Sequence, residues 1–196
     1  MDKVYISANE LLDDSFRMAH MILESGFEPD YIVGVWRGGT PIGIAVQEYL
    51  DYRGLKSDHI AIRTSSYSGI ATRSSTVRVH GLGYIVDNIN AHDKLLIVDD
   101  VFDSGLSVDA IIRDLEEQCR RNMPEDTRIA TVYYKPEKRK TERIPDYYIH
   151  ETDEWLIFPH ELHGLTVDEI AKHKSPEIVN LLNKKICPTH NAAKIE

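Results

Sequence analysis

Cysteine is nearly absent from this chain: 196 residues carry two, Cys119 and Cys187. One falls in a helical pattern and the other near the C-terminus, so no disulfide framework is suggested and a reducing compartment is expected. Long apolar runs are missing too: no stretch approaches the roughly eighteen residues that a membrane-crossing helix needs. The opening residues, Met1 to Ser7, lack the apolar core of a secretory leader, and the expected location is the cytoplasm. Basic residues are the minority, with 23 Lys and Arg against 32 Asp and Glu, a formal net charge of −9. With that balance and no basic stripe, neither nucleic acid nor an anionic membrane is the expected partner. A phosphorylated small molecule stays open, because a few backbone N–H groups, an arginine and Mg²⁺ can outweigh the overall field. Internal repeats and low-complexity tracts are also lacking.

What is present is an α/β rhythm in a chain that is 42% hydrophobic, enough for one domain with its own core. Ser7 and Glu10 form a capping-box pair, after which Leu12, Phe16, Ala19, Ile22 and Leu23 recur at helical spacing until Gly26. Tyr31 to Val35 reads as a strand, Trp36 to Thr40 as a tight loop, and Pro41 opens a helix to about Arg53. His59 to Arg63 reads as a strand, Thr64 to Ser75 as a long polar loop, and Thr76 to His80 as a returning strand. Leu95 to Val98 is a continuous apolar run, suited to a strand buried on both faces of a parallel sheet. A helix from Gly105 to about Arg121 follows, then β-rich pieces at Ile129 to Tyr134, Tyr147 to Ile149 and Trp155 to Phe158. Leu165 to Lys185 reads as two short helices divided near Ser175 and Pro176. The fold class is therefore α/β, a doubly wound and mostly parallel sheet, whose ligands sit beyond the carboxyl ends of the strands.

The most informative stretch runs from Leu95 to Ser107. A buried strand ends in Asp99 and Asp100; a loop follows with Asp103, Ser104 and Gly105, and then a helix begins with Leu106 and Ser107. Adjacent carboxylates at a strand end accept hydrogen bonds from two ribose hydroxyls. The loop and helix start offer free backbone N–H groups to a phosphate, and Gly105 lets the backbone come close. An acid pair alone is common at strand ends. The full acid–acid–x–x–acid–Ser–Gly–x–Ser string on a strand–loop–helix is far more specific, and it resembles the diphosphoribosyl-binding signature of type I phosphoribosyltransferases, in their hypoxanthine/xanthine–guanine branch.

The resemblance extends over about residues 30 to 161. Arg37, Gly38 and Gly39 follow a strand where the family has its diphosphate loop, with glycines that free backbone N–H groups. Ser66 and Tyr67 match a Ser–Tyr pair in the branch's catalytic loop, a lid that would keep water from an oxocarbenium-like transition state. Lys135 ends a strand where purine enzymes of the family have a lysine for the 6-oxo group; an ammonium only donates, so it favours an oxopurine over adenine. Trp155 corresponds to the residue that stacks on the base, and the Leu156 backbone to the group at the base edge. Glu161 falls where the family has an acid near a metal. The resemblance thus implies a Mg²⁺-dependent enzyme that joins a 6-oxopurine to 5-phosphoribosyl 1-diphosphate. Asp103 would be the general base, with Ser66 and Tyr67 in the catalytic loop. Arg37 to Gly39, Asp99, Asp100, Ser104 to Ser107, Lys135, Trp155 and Leu156 would bind substrate, and Asp99, Asp100 and Glu161 would lie at the metal.

There are departures. Leu106 stands where many hypoxanthine–guanine enzymes have lysine, serines replace the usual threonines at 104 and 107, and His160 replaces an aromatic of bacterial relatives. The expected organisation is one domain over 1–196: a core of about 28–136, a base-binding hood from about 1–27 and 137–165, and a helical extension over about 165–190 that matches no known segment. A homo-oligomer, dimer or tetramer, is the expected assembly. His160, His163, Cys187 and His190 fit no standard zinc spacing. Two rival readings stand: a regulator that kept the phosphoribosyl site without catalysis, and a transferase for another nucleobase.

Overall fold

The computed structural model describes residues 3–67 and 76–184. Its centre is a six-stranded sheet in the order β4-β3-β2-β5-β6-β7, built from Tyr31–Trp36 (β2), Asp58–Tyr67 (β3), Thr76–His80 (β4), Lys94–Phe102 (β5), Asp126–Tyr134 (β6) and Tyr147–Glu151 (β7). All neighbours pair in parallel except β4, which returns antiparallel along β3. Side chains alternate between faces, so β2, β5 and β6 feed two cores at once. Ile32, Leu96, Val98, Ala130 and Val132 pack on one side with Met18, Ile22, Ile42 and Val46. Val33, Val35, Leu95, Ile97 and Ile129 pack on the other with Ile85, Ile111 and Leu115. The first core is covered by Ala8–Glu24 (α1) and Gly39–Tyr52 (α2), and the second by Gly83–Asn88 (α3) and Leu106–Cys119 (α4).

Three elements differ from expectation. β3 runs through Thr64 to Tyr67, which the polar composition reads as loop. Each of these residues has a partner on β4, from Thr64↔Val79 to Tyr67↔Thr76, and the ladder overrides the Ser-rich sequence. β5 does not stop at Val98: it continues through both acids to Phe102, held by Val101↔Tyr133 and Phe102↔Tyr134. The short strand Lys3–Tyr5 (β1), absent from the sequence reading, pairs in parallel with Trp155–Ile157 (β8) as a separate two-stranded sheet, with Lys3 beside Trp155 and Val4 beside Leu156.

The two expected C-terminal helices are present as Val167–His173 (α5) and Pro176–Asn183 (α6). α5 is tied to the small sheet by polar contacts. Glu169 accepts from Lys3 Nζ at 2.7 Å and from the Tyr5 hydroxyl at 2.8 Å, while the His173 ring stacks on Tyr5. Lys174 Nζ donates to the Phe158 and Pro159 carbonyls at 3.2 and 2.9 Å. α6 buries no residue.

Candidate active site

Every strand of the parallel set points its carboxyl end the same way, and the functional candidates gather there. The first group is the β2–α2 loop against β5. The Trp36–Arg37 peptide is cis, and the chain then turns through Gly38 and Gly39 into α2. Both glycines are buried because the loop lies directly on the acid pair. A Cβ on Gly38 would run into the Asp100 carboxylate, within 2.9 Å of the Asp100 Cβ; a Cβ on Gly39 would strike the Val98 carbonyl and lie 2.7 Å from the Asp99 Cα. Glycine is thus required here for close approach of two backbones. The Arg37 side chain is exposed, with no hydrogen-bond or ion-pair partner among the described residues.

The acid pair sits within β5 rather than beyond it, and its carboxylates fold back on the chain. Asp99 Oδ1 accepts the Asp100 N–H at 2.9 Å, and Asp100 Oδ1 accepts the Val101 N–H at 2.8 Å. Burial pushes the Asp99 carboxyl well above the usual carboxylate range, and the neighbouring Asp100 charge adds to the rise. Burial also raises Asp100, against the pull of hydrogen bonds from its neighbours and of nearby His160. Two desolvated carboxyls side by side leave a strong demand for hydrogen-bond donors or a cation. No group of three or more His, Cys, Asp or Glu able to hold a metal occurs among the described residues. Glu161 in particular is engaged elsewhere. Its Oε2 accepts the Phe158 N–H at 3.0 Å, and it acts on Asp100 only as a nearby negative charge.

The turn after β5 carries the third acid. Asp103 is half exposed, Gly105 is left-handed at φ 77° as the N-cap of α4, and no side chain caps that helix. A Cβ on Gly105 would meet the Thr141 hydroxyl and the Phe102 ring, so this position too is set by close packing. Ser104 Oγ accepts the Leu106 N–H at a loose 3.4 Å, and Ser107 has no side-chain partner among the described residues. The first turn of α4 therefore presents N–H groups and two hydroxyls to an anion.

Lys135 follows β6 directly, its N–H donating to the Phe102 carbonyl at 2.9 Å. The side chain is 7% exposed. Its ammonium donates to the Glu154 carbonyl at 2.7 Å and stands 4.0 Å from Asp103 Oδ2. Burial pulls its pKa below the ordinary lysine value and the Lys138 charge adds to this, against the carboxylates of Asp103 and Asp153. Next to Glu154, Trp155 is 52% exposed while Leu156 is buried. Lys135 thus brings a buried ammonium to a carboxylate and to the carbonyl of the residue that precedes the exposed Trp155.

Ser66 and Tyr67 end β3, paired with Val77 and Thr76; their side chains, and the polar run from Ser68 to Ser75, lie outside the described residues. Cys187 and His190 lie outside them as well. Two contributors leave no motif in the sequence. Glu154 acts through its carbonyl, which leaves no side-chain signature. Asp153 acts on the Lys135 charge across a turn, and one of its carboxylate oxygens is buried without a partner.

The family model described as phosphoribosyl transferase domain matches residues 7–168. Among solved structures, the chain is similar to a purine phosphoribosyltransferase from Pyrococcus horikoshii Ot3, at 27% identity and a TM-score of 0.64 over 85% of this chain and 98% of that one. The fold is shared with a xanthine-guanine-hypoxanthine phosphoribosyltransferase of Helicobacter pylori, at 21% identity and a TM-score of 0.66 over 88% and 100% of the two chains. It is also shared with a hypothetical protein from Neisseria gonorrhoeae with bound ppGpp, at 18% identity and a TM-score of 0.70 over 88% and 95%. No curated protein matches the sequence.

Proposed function

The chain belongs to the phosphoribosyl transferase domain family, and we propose that it is a purine-salvage enzyme, transferring the 5-phosphoribosyl group from 5-phosphoribosyl 1-diphosphate to a 6-oxopurine. The observation that carries this reading is the pairing of Lys135 with Asp103. A buried ammonium, a donor only, lies 4.0 Å from a half-exposed carboxylate and donates to the carbonyl of Glu154, the residue before the exposed Trp155. The ammonium suits the 6-oxo group, the tryptophan suits the flat ring, and the carboxylate suits a proton that the ring must lose. The similarity to the Pyrococcus purine enzyme supports the same base class.

In the proposed reaction a purine ring nitrogen bonds to C1 of the ribose as the C1–oxygen bond to diphosphate breaks. Lys135 and Trp155 orient the base, and the Leu156 backbone meets its edge. Asp103 accepts the ring proton as the new bond forms. Asp99 and Asp100 hold the ribose hydroxyls, the Ser104–Ser107 turn holds the 5′-phosphate, and Arg37 with the Gly38–Gly39 backbone receives the leaving diphosphate. Ser66 and Tyr67 exclude water from the reacting carbon. Positioning and fixed charge supply most of the acceleration.

The oxygen-only donor pair Asp99–Asp100, with no third ligand grouped on it among the described residues, fits a Mg²⁺ ion that keeps waters and substrate oxygens in its shell better than a closed protein cage. Held by Asp99 and Asp100 together with the diphosphate, Mg²⁺ would neutralise charge on the leaving group. Glu161 is assigned an outer role, tuning the charge near Asp100. The organisation that goes with this function is a core of about 28–136, a base-binding hood from 1–27 and 137–165 and a C-terminal helical extension to about 190, in a cytoplasmic homo-oligomer.

Diphosphate release, measured with Mg²⁺ while hypoxanthine, guanine, xanthine, adenine, orotate and uracil are offered in turn, tests the reading. Turnover with 6-oxopurines is expected. Turnover with adenine or a pyrimidine alone would overturn the base assignment, and tight ligand binding with no turnover on any base would favour a regulator.

A further inference from the structure

Thr131 lies in the middle of the sheet, fully buried, and its hydroxyl has no hydrogen-bond partner among the described residues. A hydroxyl sealed from water with no partner is costly, and valine has the same shape and the same preference for strands. The position of Thr131 suggests what the hydroxyl is for. On β6 it stands in register with Asp99 on β5, and residues in register on neighbouring parallel strands carry their side chains to the same face, side by side. The neighbour of the orphan donor is thus the part-buried Asp99 carboxyl that the proposed function loads with ribose.

We infer that Thr131 is a positioning residue for Asp99: its hydroxyl donates to the Asp99 carboxylate in the ligand-bound state and fixes the direction in which that carboxylate faces the ribose. The inference rests on the phosphoribosyl reading of the site. The hydroxyl hydrogen rotates about the Cβ–Oγ1 bond, so the donor can be aimed at the Asp99 carboxylate as that carboxylate turns toward the ligand, without disturbing the packing. Backbone already holds the other part of the carboxyl, through the Asp100 N–H at 2.9 Å on Oδ1. A second donor from the adjacent strand would remove the remaining freedom.

β6 supplies an internal control. The Thr127 hydroxyl is also buried without a partner, but Thr127 pairs with Leu95, four residues back along the strand. That is about 13 Å from Thr131. The two threonines share strand, face and chemistry, and differ in whether a site carboxylate stands beside them.

The test compares Thr131→Val, Thr131→Ser and Thr127→Val with the wild type. Initial rates against 5-phosphoribosyl 1-diphosphate, its calorimetric Kd and the Tm are measured on each. Thr131→Val is expected to raise KM and Kd for this substrate about tenfold, the loss of one charge-assisted hydrogen bond, with no fall in Tm. Thr131→Ser, which keeps the hydroxyl, should stay within about twofold, and Thr127→Val should match the wild type. Wild-type KM and Kd in Thr131→Val would overturn the inference. Equal losses in the Val and Ser variants, accompanied by a lower Tm, would overturn it in favour of plain packing. A wild type that neither binds nor turns over the diphosphoribosyl substrate would overturn the site reading itself and this inference with it, an outcome distinct from the other two because it appears before any substitution is made.

Discussion

The two halves of the proposed site are assembled in different ways. The diphosphoribosyl half is local: Asp99 to Ser107 is one strand, one turn and one helix start, and the second piece, Arg37 to Gly39, is pressed against it so closely that neither Gly38 nor Gly39 has room for a Cβ. The base half is dispersed. Lys135 comes from the end of β6, the Glu154 carbonyl that steadies it comes from the turn before β8, and Trp155 stands on a two-stranded sheet completed by the first residues of the chain. A half built from close backbone contacts tolerates little change in shape. A half built from a few side-chain tips loses function one group at a time. In the proposed reaction the first sets whether it runs at all, the second which base enters it.

That contrast can be broken at Asp103, which belongs to both halves. Asp103→Asn should lower kcat roughly 10²- to 10⁴-fold while Kd for 5-phosphoribosyl 1-diphosphate stays near wild type, because the amide keeps the shape but accepts no proton. An unchanged kcat would remove it as the base. Within the local half, Gly39→Ala should cost about 100-fold in kcat/KM with every base alike, since Val98 and Asp99 backbone must move to admit the methyl. A loss confined to one base would place that loop in the wrong half.

In the dispersed half, Lys135→Met should narrow the 6-oxopurine preference by roughly 10- to 100-fold and leave the Kd for the diphosphoribosyl substrate alone. The wild type should show the same loss with pH. Lys135 has its pKa lowered by burial, so the ammonium is intact below the lowered pKa and is lost as pH rises through it, short of the usual lysine range. Selectivity that persists to the ordinary lysine pKa would contradict this. Trp155→Ala should raise KM for the base about tenfold with little change in Tm, because the residue is already 52% exposed. A large fall in Tm with an unchanged KM would make Trp155 a core residue.

The smallest effect is expected outside both halves, where α5 meets β1. The Lys3 ammonium, with help from the Thr166 N–H and the Tyr5 hydroxyl, draws the Glu169 pKa down from 4.5 to about 2. A depressed carboxyl contributes stability that is present above 4.5 and is lost as pH falls through about 2. The pair is partly exposed, so the contribution is slight. Glu169→Gln should flatten this small acid-side drop in Tm and leave turnover untouched; an equal drop in the variant would assign it to other carboxylates.

The local half was largely legible in the sequence, and for the same reason that it is rigid. Asp99, Asp100, Asp103, Ser104, Gly105 and Ser107 lie within nine consecutive positions, and their spacing carries the chemistry without knowledge of the fold. The alternating strands and helices also pointed to a mostly parallel sheet, in keeping with the continuous apolar run from Leu95 to Val98. What escaped depends on pairing. Charged Asp99 and Asp100 mimic a strand end, while β5 in fact carries on because Tyr133 and Tyr134 hold it. Ser-rich Thr64 to Tyr67 mimics a loop until β4 is seen beside it. β1 spans three residues, too few for any periodicity to register. The Glu154 carbonyl and the neighbour of Thr131 have no trace in composition or spacing, because a backbone acceptor and a cross-strand contact exist only once the sheet is formed.

One measurement bears on the central claim most directly: nucleotide and diphosphate counted together as the enzyme consumes 5-phosphoribosyl 1-diphosphate with a 6-oxopurine. The proposed reaction yields the two products in equal amounts, with hypoxanthine, guanine or xanthine and not with adenine. Diphosphate released without nucleotide, or nucleotide formed from adenine in preference to every 6-oxopurine, would contradict it.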